Sequence, residues 1–144
     1  MPTVLVVDDE SAMRELLVRW IGGDEYQVRE AGTAAAALDD MQVAPADVVL
    51  CDVKMPGQDG LWLTEQLRSR FPETAIVLAT GDRTVSPHIS MQRGVVEYLA
   101  KPFTRDQVLA AVRRAAGWHD TAVSERGRQK ISPPLTKEWI RSGE

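Results

Sequence analysis

Cysteine is nearly missing from this chain. Cys51 is the only one in 144 residues, so no internal disulfide can form, and a reducing compartment is the natural setting. No run of about 18 or more apolar residues occurs, which excludes a helical membrane span. The N-terminus lacks a signal-peptide pattern, and a cytoplasmic location is the expectation. Basic charge is not in excess either. Lys and Arg number 17 against 21 Asp and Glu, for a net charge of −4, and no basic stripe recurs. That argues against direct nucleic-acid binding by this segment. No glycine-rich phosphate loop follows the first apolar run, which speaks against nucleotide binding. Internal repeats and low-complexity blocks are absent.

What remains suits one globular domain with a short appendage. Five β-type runs, at 3–7, 26–30, 47–51, 75–79 and 95–99, alternate with stretches long enough for helices. This alternation predicts an α/β fold with a parallel sheet and helices on both faces. The runs at 3–7, 47–51 and 75–79 are continuously apolar, as strands covered on both faces should be. Tyr26-Gln27-Val28-Arg29-Glu30 and Val96-Glu97-Tyr98 alternate with polar residues and read as edges. Right-handed crossovers then favour the strand order 2-1-3-4-5, the flavodoxin-like arrangement.

Helix signals fit the same layout. Met13, Leu16, Leu17, Trp20 and Ile21 form one apolar stripe. Thr33 is placed to cap a helix over 34–42, and Thr104 with Gln107 reads as a capping box ahead of Val108, Val112 and Ala115. The stretch 84–93 has weak helix propensity, with Pro87, Ser86 and Ser90. From 119 onward the composition shifts to Gly, Ser, Pro and mixed charge. The division expected is therefore a domain over 1–118 and a linker or C-terminal tail over 119–144, with one helical turn around Thr136 to Arg141.

Charged residues follow three of the strands. Asp8 and Asp9 come after the first, Asp52 after the third, and Lys101-Pro102 after the fifth. Parallel strands bring their carboxyl ends to one edge, and the switch point of the 2-1-3-4-5 order lies between the first and third strands. The topology thus gathers three carboxylates and one ammonium in one crevice. Carboxylates so crowded repel unless a cation sits among them or one takes up a proton. A divalent metal and phosphoryl transfer are the chemistry this suits.

The segments Val6-Val7-Asp8-Asp9-Glu10, Asp52-Val53-Lys54-Met55-Pro56-Gly57-Gln58-Asp59-Gly60, Ala79-Thr80-Gly81 and Tyr98-Leu99-Ala100-Lys101-Pro102-Phe103 carry a resemblance. Together they resemble the response-regulator receiver domain of bacterial two-component signalling, over about residues 2–118. Four motifs in order are far more specific than any one. The resemblance implies a phosphorylation-controlled switch, with Asp52 accepting a phosphoryl group from the phosphohistidine of a sensor histidine kinase or phosphotransfer protein. It implies Mg2+ held directly by Asp9 and Asp52, by Asp8 through water, and by the backbone carbonyl of Lys54.

It further implies that Lys101, before a cis proline, bridges to Asp52 and then to the phosphoryl oxygens. Thr80 resembles the hydroxyl that bonds the phosphoryl group, and Tyr98 the aromatic that swings inward with it. A plain edge-strand tyrosine, half-packed on a neighbouring helix, is the competing reading of Tyr98. Lys54 and Asp82 occupy positions where the family varies. They are expected to pair across the site mouth and lengthen the phosphorylated lifetime. Met55-Pro56-Gly57 and Gly60 read as a structural turn over the site.

Two other readings compete. A haloacid-dehalogenase-like phosphatase wants an aspartate two residues beyond its nucleophile, and position 54 is Lys. A degenerate receiver acting only as a docking module needs a broken acidic cluster, and the cluster is intact. The tail is too short for a helix-turn-helix or a catalytic output domain. Output is therefore expected through a downstream protein target, a phosphorylation-dependent homodimer, or an output domain outside this sequence.

Overall fold

The computed structural model describes residues 1–81 and 94–131, with side chains through Gly127. The expected helix over 84–93, Asp82, and the turn around Thr136 to Arg141 lie outside the described residues. Strands β1 (Thr3–Val7), β2 (Gln27–Ala31), β3 (Val48–Asp52), β4 (Ala75–Thr80) and β5 (Val95–Ala100) form one parallel sheet in the order β2-β1-β3-β4-β5. The flavodoxin-like expectation is borne out, with β1, β3 and β4 central and every β3 and β4 residue buried.

Helices α1 (Ser11–Ile21), α2 (Ala34–Val43), α3 (Gly60–Arg70) and α4 (Arg105–Ile131) cover both faces. Alternate strand residues point to opposite faces, so two separate aliphatic cores result. Leu5, Val49, Leu78, Met41, Leu63 and Leu67 fill the face under α2 and α3. Val4, Val6, Leu50, Val77, Leu17 and Val112 fill the face under α1 and α4. Each fully buried Val, Leu or Ile stabilises the fold by about 1.5–3 kcal/mol relative to leaving it in water.

Two of the caps are those the sequence announces. Thr33 Oγ1 accepts from Ala36 N at 3.0 Å. Thr104 and Gln107 exchange bonds of 2.8 and 3.1 Å, the reciprocal box that starts α4. Helix α3 begins under Asp59, whose Oδ1 accepts from Leu61 N at 3.0 Å and Trp62 N at 2.9 Å.

One element departs from expectation. Residues 119–131, read as linker from composition, continue α4 as helix to Ile131. The reason is tertiary. His119 Nδ1 lies 2.7 Å from the carbonyl of Glu73 and its Nε2 3.1 Å from Asp47 Oδ1. Two turns further on, Arg126 pairs with Glu73 at 2.9 Å. These contacts fasten the extension to the segments that lead into β3 and β4.

Candidate functional site

Register decides what meets at the carboxyl edge. Val7 is level with Cys51, Asp52 with Ala79, and Thr80 with Ala100. The residues that follow β1 and β5, and those that end β3 and β4, therefore share one rim. An open cleft there is lined by Asp9, Glu10, Asp52, Lys54, Thr80, Gly81 and Lys101.

Asp52 is 7% exposed and Asp8 2%, both unusually buried for carboxylates, while Asp9 is exposed. Asp52 Oδ2 accepts from Lys101 Nζ at 3.2 Å, and Oδ1 accepts from Lys54 N at 3.3 Å. Asp8 Oδ2 lies 3.6 Å from the same ammonium, and its Oδ1 accepts from Glu10 N at 2.9 Å. The Lys101–Pro102 peptide is cis. The root of Lys101 is fixed by its backbone N–H, which donates to the Thr80 carbonyl at 2.9 Å.

Burial pushes the Asp52 carboxyl above the usual carboxylate range. Lys101 opposes that rise, the Asp8 charge adds to it, and the balance stays upward. For Lys101, burial alone would weaken the ammonium. The Asp52 and Asp8 carboxylates outweigh burial and hold the proton more firmly than in a free lysine. Cys51, directly before Asp52 and buried, has its thiol pushed far up by burial and then by the acids beside it. It is a packing residue facing away from any reactive role.

Asp8, Asp9 and Asp52 each offer a carboxylate oxygen, and these atoms lie within 4.8 Å of one another. The donor set is all hard oxygen, with the Lys101 ammonium partly neutralising it. It fits a small divalent cation that keeps several waters, as Mg2+ does, better than any softer ion.

Of the site residues named from sequence and lying within the described residues, Asp9, Asp52, Lys54, Thr80 and Lys101 line this cleft, and Asp8 adjoins it against Lys101. Thr80 is buried at the end of β4. Tyr98 is half-buried on β5 and packs on the core face under α2 and α3, away from the cleft lining. Asp82, the expected partner of Lys54, lies outside the described residues.

Two residues had no assigned role in the sequence. Glu10 lines the cleft and acts on Lys101 through its charge, and its adjacency to Asp9 was the available signal. Arg14 reaches back from α1 to the Asp8 carbonyl at 2.8 Å and Glu30 at 3.1 Å. Helical spacing places it on α1, but nothing local shows where its guanidinium ends.

A family model described as the response regulator receiver domain matches residues 4–113. The DNA-binding transcriptional regulator NtrC of Escherichia coli (strain K12) is 33% identical over 131 residues, covering 90% of this chain and 28% of that protein. The response regulator MprA of Mycobacterium sp. (strain KMS) is 38% identical over 111 residues, covering 76% of this chain and 48% of that protein. This chain thus spans less than half the length of either. Among solved structures, a response regulator receiver domain protein from Clostridium thermocellum superposes with a TM-score of 0.77 at 26% identity. That match covers 85% of this chain and 99% of the other.

Proposed function

This chain belongs to the response regulator receiver domain family, and from that premise we propose that it is a switch set by a phosphoryl group on Asp52. The observation that carries the reading is the meeting of Asp8, Asp9, Asp52 and the Lys101 ammonium at one sheet edge. The donor is a phosphohistidine of a sensor kinase or phosphotransfer protein.

An Asp52 carboxylate oxygen attacks the phosphorus in line. The phosphorus–nitrogen bond breaks, and its electron pair returns to the donor imidazole. Asp9 and Asp52, Asp8 through water, and the Lys54 carbonyl would hold Mg2+, which would supply positive charge against the phosphoryl oxygens. Lys101 transfers its ammonium from Asp52 to a phosphoryl oxygen, a compact charge on a flexible stem suited to that exchange. The Thr80 hydroxyl donates to another phosphoryl oxygen, and Tyr98 follows it inward. Hydrolysis reverses the state: water attacks phosphorus, the bond to Asp52 breaks, and carboxylate and inorganic phosphate result. The chain catalyses only its own loading and unloading.

The receiver proper occupies 1–118 in this reading, with 119–144 a linker or C-terminal tail. NtrC is by name a DNA-binding regulator, but this chain spans only 28% of it. Here the phosphorylated face is read by a downstream protein, a second copy, or an adjoining output domain.

The test is incubation with acetyl phosphate and Mg2+, followed by intact mass and size-exclusion chromatography. Wild type gains one phosphoryl group and Asp52→Asn gains none. Equal labelling of both proteins would remove Asp52 as the acceptor. A shift in elution on labelling identifies a homodimer as the output.

A further inference from the structure

We infer that Arg14 is a positioning residue for the divalent-cation site, acting from behind it through the peptide that joins Asp8 to Asp9. The inference rests on the reading above, in which those acids hold Mg2+.

Arg14 lies on α1, its side chain 21% exposed. Its guanidinium works in two directions. Nη1 donates to the backbone carbonyl of Asp8 at 2.8 Å, and Nε donates to Glu30 Oε1 at 3.1 Å. It also lies over Gly32, where an added Cβ would come within 3.2 Å of Nη1. The planar fork therefore links the turn after β1, which carries the acids, to the turn after β2. A second tie joins the same two turns, from Asp8 N to the Ala31 carbonyl at 3.2 Å.

The choice of acceptor carries the argument. Arg14 takes the Asp8 carbonyl, and that carbonyl belongs to the peptide plane from which Asp9 departs. Asp8 is already held through its own side chain by Glu10 N and Lys101. Asp9 is exposed and follows β1, beyond the ladder that fixes the strand. Its aim toward Asp52 depends on the peptide before it, and Arg14 holds that peptide. Partners of this kind orient the groups that touch a metal, and losing one weakens metal affinity about 10–100-fold.

Charge alone predicts the opposite. Removing a cation from beside an acidic cluster should tighten Mg2+ binding, so the sign of the effect separates geometry from electrostatics. Glu30 already offsets the guanidinium charge at 3.1 Å, which leaves geometry as its contribution.

The experiment is Mg2+ titration by calorimetry, with thermal unfolding in the presence and absence of Mg2+, on wild type, Arg14→Ala, Arg14→Lys and Glu30→Gln. Arg14→Ala is expected to raise the Mg2+ dissociation constant about 10–100-fold and to shrink the Mg2+-induced rise in Tm. Arg14→Lys keeps the charge and the helix but has no fork, so it recovers only part of the loss. Should Arg14→Ala fail to fold, the lysine variant still gives the sign. Glu30→Gln keeps an acceptor for Nε and is expected to lie within about threefold of wild type. Unchanged or tighter Mg2+ binding in both Arg14 variants overturns the inference while leaving the acceptor reading standing. Wild type binding no Mg2+ at all overturns both.

Discussion

At the scale of single residues, Asp52 carries a tension that Asp8, nearly as close to Lys101, accentuates. Burial raises the Asp52 carboxyl despite the ammonium 3.2 Å away. An acid whose folded value is raised binds its proton more tightly in the fold, so ionising it costs stability. That cost is absent below the ordinary carboxylate range, grows as pH rises through that range, and is complete above the raised value. Without Mg2+, Asp52→Asn is therefore expected to raise Tm at neutral pH, and the gain should fade as the solution is acidified. A pH series of thermal scans checks it; a gain undiminished in acid contradicts the account. Lys54 poses a kinetic question instead. Exposed at the cleft mouth, it is proposed to act with Asp82 in impeding the hydrolytic water. Lys54→Ala should then lose its phosphoryl label faster than wild type in a decay followed by intact mass. Decay at the wild-type rate counts against the pair.

At the scale of elements, helix α3 sits hard against the acceptor. A Cβ at Gly60 would collide with the Asp52 carbonyl and lie 2.8 Å from Val53 Cα, both backbone atoms that cannot rotate away. Gly60 N also donates to the Val53 carbonyl at 2.9 Å. Gly60→Ala must therefore displace the helix start or the acceptor loop, at about 1–3 kcal/mol. Urea unfolding measures this, and a loss below the error of the midpoint would mean that α3 shifts freely. Gly57, at φ +76°, answers a different need, a turn in the left-handed region.

The elements also show what local sequence can reveal. Strands β1, β3 and β4 were legible because burial on both faces leaves an unbroken apolar run. Helix α2 and the start of α4 were legible because Thr33, and Thr104 with Gln107, are short-range caps. The continuation of α4 past Trp118 was not. Its anchors pair His119 with residues 46 positions and more away, and Arg126 with Glu73, contacts that composition cannot show. Arg14 was missed for the same reason.

For the molecule as a whole, the proposed Mg2+ site is assembled only in the folded state. Separated along an unfolded chain, Asp8, Asp9 and Asp52 offer no such set. A ligand restricted to the fold stabilises it by about 2.7 kcal/mol at a hundred times its dissociation constant. Thermal unfolding should therefore shift upward with Mg2+ concentration, and Asp9→Asn should remove most of that shift. An equal shift in the variant would show the ion binding elsewhere.

The site's location was legible at this scale because topology and charge pointed to one place, the edge between β1 and β3. Its depth was not legible. Sequence gives Asp8 and Asp9 as neighbours, yet one is sealed in and the other faces water. Tyr98 is half-buried on β5 and packed against the core under α2 and α3.

Lys101 and Asp52 lie 49 positions apart, and their bond depends on every strand between β3 and β5 being in register. No proteolytic piece or half-melted copy of this chain can reproduce that juxtaposition. If the proposed acceptor reading holds, receipt of a message is thus tied to structural integrity.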